Sequence, residues 1–313
     1  MMLLSNTLLI DGITRGGKSL VGLLLRCIQG LEKIEKLYSI EHVISGTYMK
    51  KMDPDFSLQI FQSLLNEKIY DNYISRNINF RAGETTSVKY PEFESEYLHR
   101  LQLNDGDSVL QRIELEKPTF PFITHEMFFE IEFILKNFHN LSVVEVLRNP
   151  FDIYFSWVKK NWGARYGTDK RAFRVTFEDS ATNGKIPWYL HQNHSLWQDP
   201  NTYNRVANTV SFLTEIQIKV TKKLLQNYSS KFNVIIFEEF TQNPLYHLSR
   251  IKNNYNFRED TASILAMYNL PRDPYCFDEA RNIEAKSHLG IGSYQALLNS
   301  YNTYADFVRQ MQI

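Results

Sequence analysis

Two short strings in this sequence hold the residue types that grip phosphate. The first, GITRGGKS from Gly12 to Ser19, satisfies the pattern G-x-x-x-x-G-K-[ST] in full. Gly12, Gly16 and Gly17 let the backbone turn with no Cβ in the way of an anion. Amide donors at the start of a following helix point at that anion, assisted by the helix dipole. Lys18 adds a mobile positive charge and Ser19 a hydroxyl donor. Arg15, Gly16, Gly17, Lys18, Ser19 and Leu20 are therefore the expected contacts to a phosphate-bearing nucleotide. The competing reading is a glycine-rich turn that caps a helix and binds nothing. An apolar strand before the string and an apolar helix after it favour phosphate, without saying which phosphate compound.

The second string is RNPFDIYFSW, residues 148–157. Asn149 suits a helix N-cap, Pro150 the first helical position, and Asp152 the acid of a capping box. Arg148 then stands at the carboxyl end of a strand, where ligands of open α/β sheets lie. Ser156 follows two helical turns later, at about 80° from the direction of Arg148 if the helix is continuous. A guanidinium and a hydroxyl so placed meet one phosphate from adjacent directions. The competing reading pairs Arg148 with an acid and leaves Ser156 on a helix face.

The elements needed to position these strings are legible in the apolar spacing. Strands are expected at 7–11, 37–44, 120–125, 142–147 and 232–237. Helices are expected at 19–28 (with Gly30 at its end), 53–65, 127–138, 150–160, 206–227 and from Pro244 onward. Strands alternating with helices favour a mostly parallel sheet covered on both faces. The fold class is α/β, a three-layer P-loop NTPase-like fold, and the absence of repeats or Gly/Ser linkers predicts one domain over 1–313. Segments near 66–120 and 162–205 read as insertions that shape an acceptor pocket, the second rich in aromatics and a candidate lid.

Composition narrows the class. The 313 residues are 43% hydrophobic, and 35 Lys plus Arg balance 35 Asp plus Glu. No global field attracts nucleic acid or an anionic membrane, so local cations must hold any anion. Cys27 lies in an apolar helical run and reads as core; with Cys276 it forms no disulfide framework or metal cluster. His191 and His194 sit three apart without a third ligand of suitable spacing, so no metal is expected. The apolar start, Leu3 to Ile10, is too short to span a bilayer and has no leader features, and the expected compartment is the cytoplasm.

Taken together, the two strings resemble the sulfotransferase family that uses 3′-phosphoadenosine 5′-phosphosulfate. In that family the glycine-rich loop binds the 5′-phosphosulfate. An Arg at the end of a later strand, with a Ser eight residues on, binds the 3′-phosphate; Arg148 and Ser156 match those positions. Residues 234–251 (VIIFEEFTQNPLYHLSRI) and 286–294 (KSHLGIGSY) resemble two further segments of the family. Gly16-Gly17-Lys18-Ser19 departs from it, being nearer to a kinase loop. The resemblance implies transfer of a sulfuryl group to a hydroxyl or amine, with a carbohydrate mildly preferred as acceptor.

Catalysis of that transfer rests on positioning and charge stabilisation, with Lys18 opposite the developing charge and Arg15 assisting. The acceptor's proton needs a base. The resemblance offers Glu41, where carbohydrate-modifying members place a glutamate, and His125, from a segment where cytosolic members draw a histidine; Glu126 is third. The rival function is an ATP- and Mg²⁺-dependent small-molecule kinase, with Ser19 on the metal and Glu238 or Glu239 completing its site. A third is a nucleotide-regulated binding protein without transfer chemistry.

Overall fold

The computed structural model describes residues 1–166, 168–170, 173–179, 184–251, 256–274 and 279–311; Cys276 lies outside them. The described residues form seven strands: β1 (Asn6–Asp11), β2 (Glu35–Lys36), β3 (Thr119–Ile123), β4 (Leu141–Leu147), β5 (Thr176–Asp179), β6 (Gly184–Pro187) and β7 (Phe232–Ile236). Five form a parallel sheet in the order β2-β3-β1-β4-β7, and β5 pairs with β6 in a separate antiparallel hairpin.

Alternation along the strands explains the layers. Leu9, Phe120, Phe122 and Val143 enter one apolar core together with Phe61, Ile134, Phe151 and Val210. Leu8, Ile10, Val144 and Val146 enter a second core with Val21, Leu24, Leu248 and Ile264. Successive side chains of a strand point to opposite faces, so both faces of this sheet are buried under helices. Helices Pro54–Tyr73, Ile131–Asn137, Pro150–Lys159 and Thr202–Asn227 cover the first; Lys18–Leu24, Pro244–Ile251 and Thr261–Met267 cover the second.

One expected strand is a helix. Residues Tyr38–Tyr48 are helical, and the strand is confined to Glu35–Lys36, paired with Phe122 and Ile123. The physical reason is visible in the spacing: Ile40, Val43 and Ile44 fall at i, i+3 and i+4, and all three are buried. Glu41 consequently sits in the first turn of a helix rather than at a strand's end.

Helix Pro54–Tyr73, capped by the Asp53 carboxylate accepting from the Phe56 amide at 3.0 Å, runs past its expected end at 65. Helices Pro91–Arg100 and Asp107–Glu116 follow. Their attachment to the sheet is partly ionic: Arg100 donates to both oxygens of Glu32 at 2.8 Å, with its guanidinium over the rings of Tyr73 and Tyr97. A planar, bidentate pair is the geometry for which arginine is suited. Among the described residues no helix is long and apolar enough to cross a membrane. Cys27 is buried and unpaired, and burial pushes its thiol up to about 11, as for an inert core cysteine.

Candidate active site

Strands β1 and β4 are paired with Asp11 opposite Glu145, so the loop leaving β1 and the Arg148 that follows β4 emerge side by side. Two glycines make the loop possible. Gly12 has φ +142°, and a Cβ there would lie 2.4 Å from the Val146 carbonyl oxygen. Gly17 has φ +100°, and its Cβ would lie 2.1 Å from the Phe237 ring. That ring also carries the Arg148 guanidinium, 4.8 Å from its centroid. Gly17→Ala should therefore cost about 1–3 kcal/mol through overpacking, and it should displace Arg148 as well. Calorimetric melting measures the first effect; loss of a nucleotide-induced melting shift measures the second. A variant as stable as the parent would show that Phe237 yields freely.

Arg15 stands between the two residues of the expected clamp, Arg148 and Ser156. Arg15 Nε donates to Ser156 Oγ at 2.8 Å, and Arg148 Nη1 donates to the Arg15 carbonyl at 3.1 Å. Trp157 Nε1 donates to the Thr14 carbonyl at 2.7 Å, fastening helix Pro150–Lys159 to the loop. Arg148 does approach an acid, Asp152, but at 3.7 Å, while the other oxygen of Asp152 is bound closely by Arg281. Arg148 Nε is buried with no partner. The guanidinium is thus held at the site in a loose ion pair with Asp152, which it shares with Arg281.

Asn149 is the N-cap, its side chain accepting from the Phe151 amide at 2.9 Å. The capping-box acid, however, is not Asp152. Glu238, from the helix after β7, accepts from the Asn149 amide at 2.9 Å and from the Tyr304 hydroxyl. Asp152 is drawn away by two arginines, and a carboxylate from a neighbouring element does its work.

The two candidate bases turn out to be partners. His125 Nδ1 lies 2.8 Å from Glu41 Oε1, and Glu41 Oε2 accepts from Arg174 Nη1 at 2.6 Å. Arg174 also reaches Thr14 Oγ1 at 3.2 Å and Glu126 at 3.3 Å. Glu126 in turn accepts from the Thr14 amide. Burial pushes the Glu41 carboxyl up to about 8, against the pull of Arg174. Burial also holds His125 well below its usual range, reinforced by Arg174, Lys18 and Lys36, so the imidazole is neutral at pH 7. Tyr38 stacks on it, the ring planes within 11°.

One cavity of about 420 Å³ joins these parts. Arg15, Gly17, Lys18, Ser19, Leu20, His125 and Arg148 of the expected residues line it; Gly16, Ser156 and Glu41 are not in its wall. Lys36, Arg165 and Arg174 line it too, making, among the described residues, six cations and no carboxylate on the wall of a chain with zero formal charge. Lys18 is 3% exposed and folds back onto the carbonyls of Gly12 and Ile13 at 2.6 and 2.8 Å. Burial lowers its pKa, and Glu126 and Asp11 oppose that loss of charge.

Sequence reasoning missed Lys36, Tyr38, Trp162, Arg165 and Arg174 as cavity residues. None belongs to a motif. Trp162, Arg165 and Arg174 come from the 162–205 segment, whereas no residue of 66–120 lines the cavity. Most aromatics of 154–203 are core: Tyr154, Trp157, Trp188 and Tyr189 are buried, leaving Trp162 in the cavity wall. The 286–294 segment is not in that wall either; Gly290 is bonded to Asn204 and His288 stacks on Tyr203. His191 and His194 pack on Phe177, and the described residues include no group of three His, Cys, Asp or Glu placed to hold a metal. A second cavity of about 470 Å³, at the amino ends of β1 and β4, has no carboxylate to pair with its His139.

No family model matches the sequence, and the search of curated proteins finds no match. The chain is similar in structure to solved sulfotransferases. The sulfotransferase domain of the Synechococcus PCC 7002 olefin synthase shares 12% identity over 96% of this chain and 95% of that one, with a TM-score of 0.44. STF9 from Mycobacterium avium shares 14% over 95% of this chain and 76% of that one, also at 0.44. The sulfotransferase domain of the curacin biosynthetic pathway shares 12% over 88% and 80%, at 0.39. Likenesses of this degree assign no activity, which must be argued from the site itself.

Proposed function

We propose that this chain is a sulfotransferase that moves a sulfuryl group from 3′-phosphoadenosine 5′-phosphosulfate to a hydroxyl or amine acceptor. The carrying observation is one cavity into which the phosphate loop, Arg148 and the Glu41-bound His125 all open, with cations and, among the described residues, no acid on its wall. A donor with anionic groups at both ends fits that wall. Arg15, Arg148 and Ser156 stand as one unit for the 3′-phosphate, and Lys18 with the loop stands for the 5′-phosphosulfate.

Glu41 orients His125 through Nδ1, which leaves Nε2 for the acceptor's proton. As that proton is taken, the acceptor oxygen or nitrogen bonds to sulfur and the bond from sulfur to the phosphate oxygen breaks. The electron pair leaves with adenosine 3′,5′-bisphosphate, and Lys18 supports the charge that develops there. The carbohydrate preference rested on the aromatics of 154–203; with most of them in the core, Trp162 and Tyr38 remain as stacking surfaces.

Of the two carboxylates offered to the kinase's metal, Glu238 is already engaged. Both oxygens of Glu238 are taken, by the Asn149 amide and the Tyr304 hydroxyl. Melting curves separate the two functions. Adenosine 3′,5′-bisphosphate without metal, at about 100 times its dissociation constant, should add roughly 2.7 kcal/mol to the folded state. Arg148→Ala should abolish that gain. A response confined to ATP with Mg²⁺ would sink the sulfotransferase reading.

A further inference from the structure

We propose that Arg174 is the positioning residue of this site: its guanidinium sets the hydrogen bond between Glu41 and His125 and ties that setting to the phosphate loop. The inference rests on the reading of His125 as the base. It comes from the geometry of one side chain, 6% exposed, that the 162–205 segment inserts between the two halves of the site. Its Nη1 serves Glu41 at 2.6 Å and Glu126 at 3.3 Å, and its Nη2 serves Thr14 Oγ1 at 3.2 Å. Glu126 is fully buried, accepts from the Thr14 amide, and leaves its second oxygen without a hydrogen bond beside Arg174. One guanidinium therefore touches the loop hydroxyl, the carboxylate that holds the loop amide, and the carboxylate that holds the base.

The ionisation of Glu41 decides what His125 can do. Ionised, the carboxylate accepts from Nδ1–H, and the Nε2 lone pair faces the cavity. Protonated, the carboxyl donates to Nδ1, and the ring proton moves to Nε2, where it blocks uptake of the acceptor's proton. The charged and titratable groups facing Glu41 are Arg174 and Tyr166 from the 162–205 segment, His125 and Glu126 after β3, Asp11 and Lys18 at the end of β1, and Tyr38 on its own helix. Lys36, at the end of β2, acts on His125. Glu126 and Asp11 both favour the protonated carboxyl; Arg174 is the largest charge on the other side. Without it, burial and two like charges act against Lys18 alone.

The test reads the tautomer of His125 directly, by nitrogen NMR of protein labelled at histidine, with His125→Gln identifying its signals among the eight histidines. In the parent protein the change from Nε2–H to Nδ1–H should be centred near pH 8, the value of Glu41. In Arg174→Gln it should move up by about 1–3 pH units, the effect of losing an adjacent opposite charge. Arg174→Lys keeps the charge but cannot hold Glu41 and Thr14 together, so its midpoint should lie between the two. An unchanged midpoint in whichever variant folds overturns the proposal, because a merely structural arginine would not set the tautomer. The shift needs no turnover: if it occurs while no bisphosphate response is found, Arg174 keeps this role and the sulfotransferase reading falls.

Discussion

Turnover by a His125→Gln variant is expected to fall about 10²- to 10⁴-fold, with adenosine 3′,5′-bisphosphate affinity unchanged, because only the positioned base is lost. His125 lines the cavity and is 16% exposed, whereas Glu41, at 3%, stands behind it. In the proposed reaction the accessible imidazole meets the acceptor and the carboxylate acts through it. At neutral pH the imidazole already lacks its second proton, since burial and the cations around it push its pKa well down. If the proposed reaction runs through the Glu41-oriented imidazole, the rate should climb as pH rises through about 8. The glutamine variant should lose that climb along with the turnover. Folding carries the opposite sign. Glu41 binds its proton more tightly in the folded chain, so its contribution to stability declines as pH rises from its ordinary value toward 8. A variant that keeps both its rate and its pH dependence would mean that the proton goes elsewhere.

The parts of this molecule that the sequence disclosed are those set by local chemistry. The loop Gly12–Ser19 and the Asn149-Pro150 helix start are each written in consecutive residues, and the strands around them are apolar runs buried on both faces. Residues 37–44 misled because a short apolar stretch fits a strand or a helix, and tertiary packing of Ile40, Val43 and Ile44 decided for the helix. Glu41 and His125 could each be named, but their alliance could not: they are 84 residues apart, and a hydrogen bond between them depends on the fold. Arg174 was invisible for the same reason. Its only signal was indirect, since Glu41 and Glu126 buried side by side require a cation from somewhere. The displacement of Asp152 from its capping role by Glu238 is a further case in which a neighbouring element overrode a local motif.

A Lys18→Met variant is expected to lose about 10²- to 10³-fold in turnover, the scale of removing one preorganised charge from the site of a developing anion. Methionine keeps the unbranched apolar shape in a position that is almost wholly buried, so the change removes charge more than volume. Lys18 now bonds the Gly12 and Ile13 carbonyls, and to act it must leave them for the donor's oxygens. Beneath it lie Asp11, Glu126 and Glu145, all fully buried. Burial raises Asp11 to about 6, with Lys18 the chief influence holding it lower, and burial raises Glu145 well above its usual range. Without the lysine Asp11 and Glu145 should bind protons more tightly still. A carboxyl whose pKa is raised by folding loses stability as pH climbs from its unfolded value to its folded one. Lys18→Met should thus extend that loss to higher pH, and its melting deficit should be larger at about pH 8 than at about pH 5. Equal deficits at the two pH values would show that the acids beneath the loop do not depend on Lys18 for their charge. Unchanged turnover would remove the lysine from the reaction, and with it the reason for a phosphate loop at this end of the sheet.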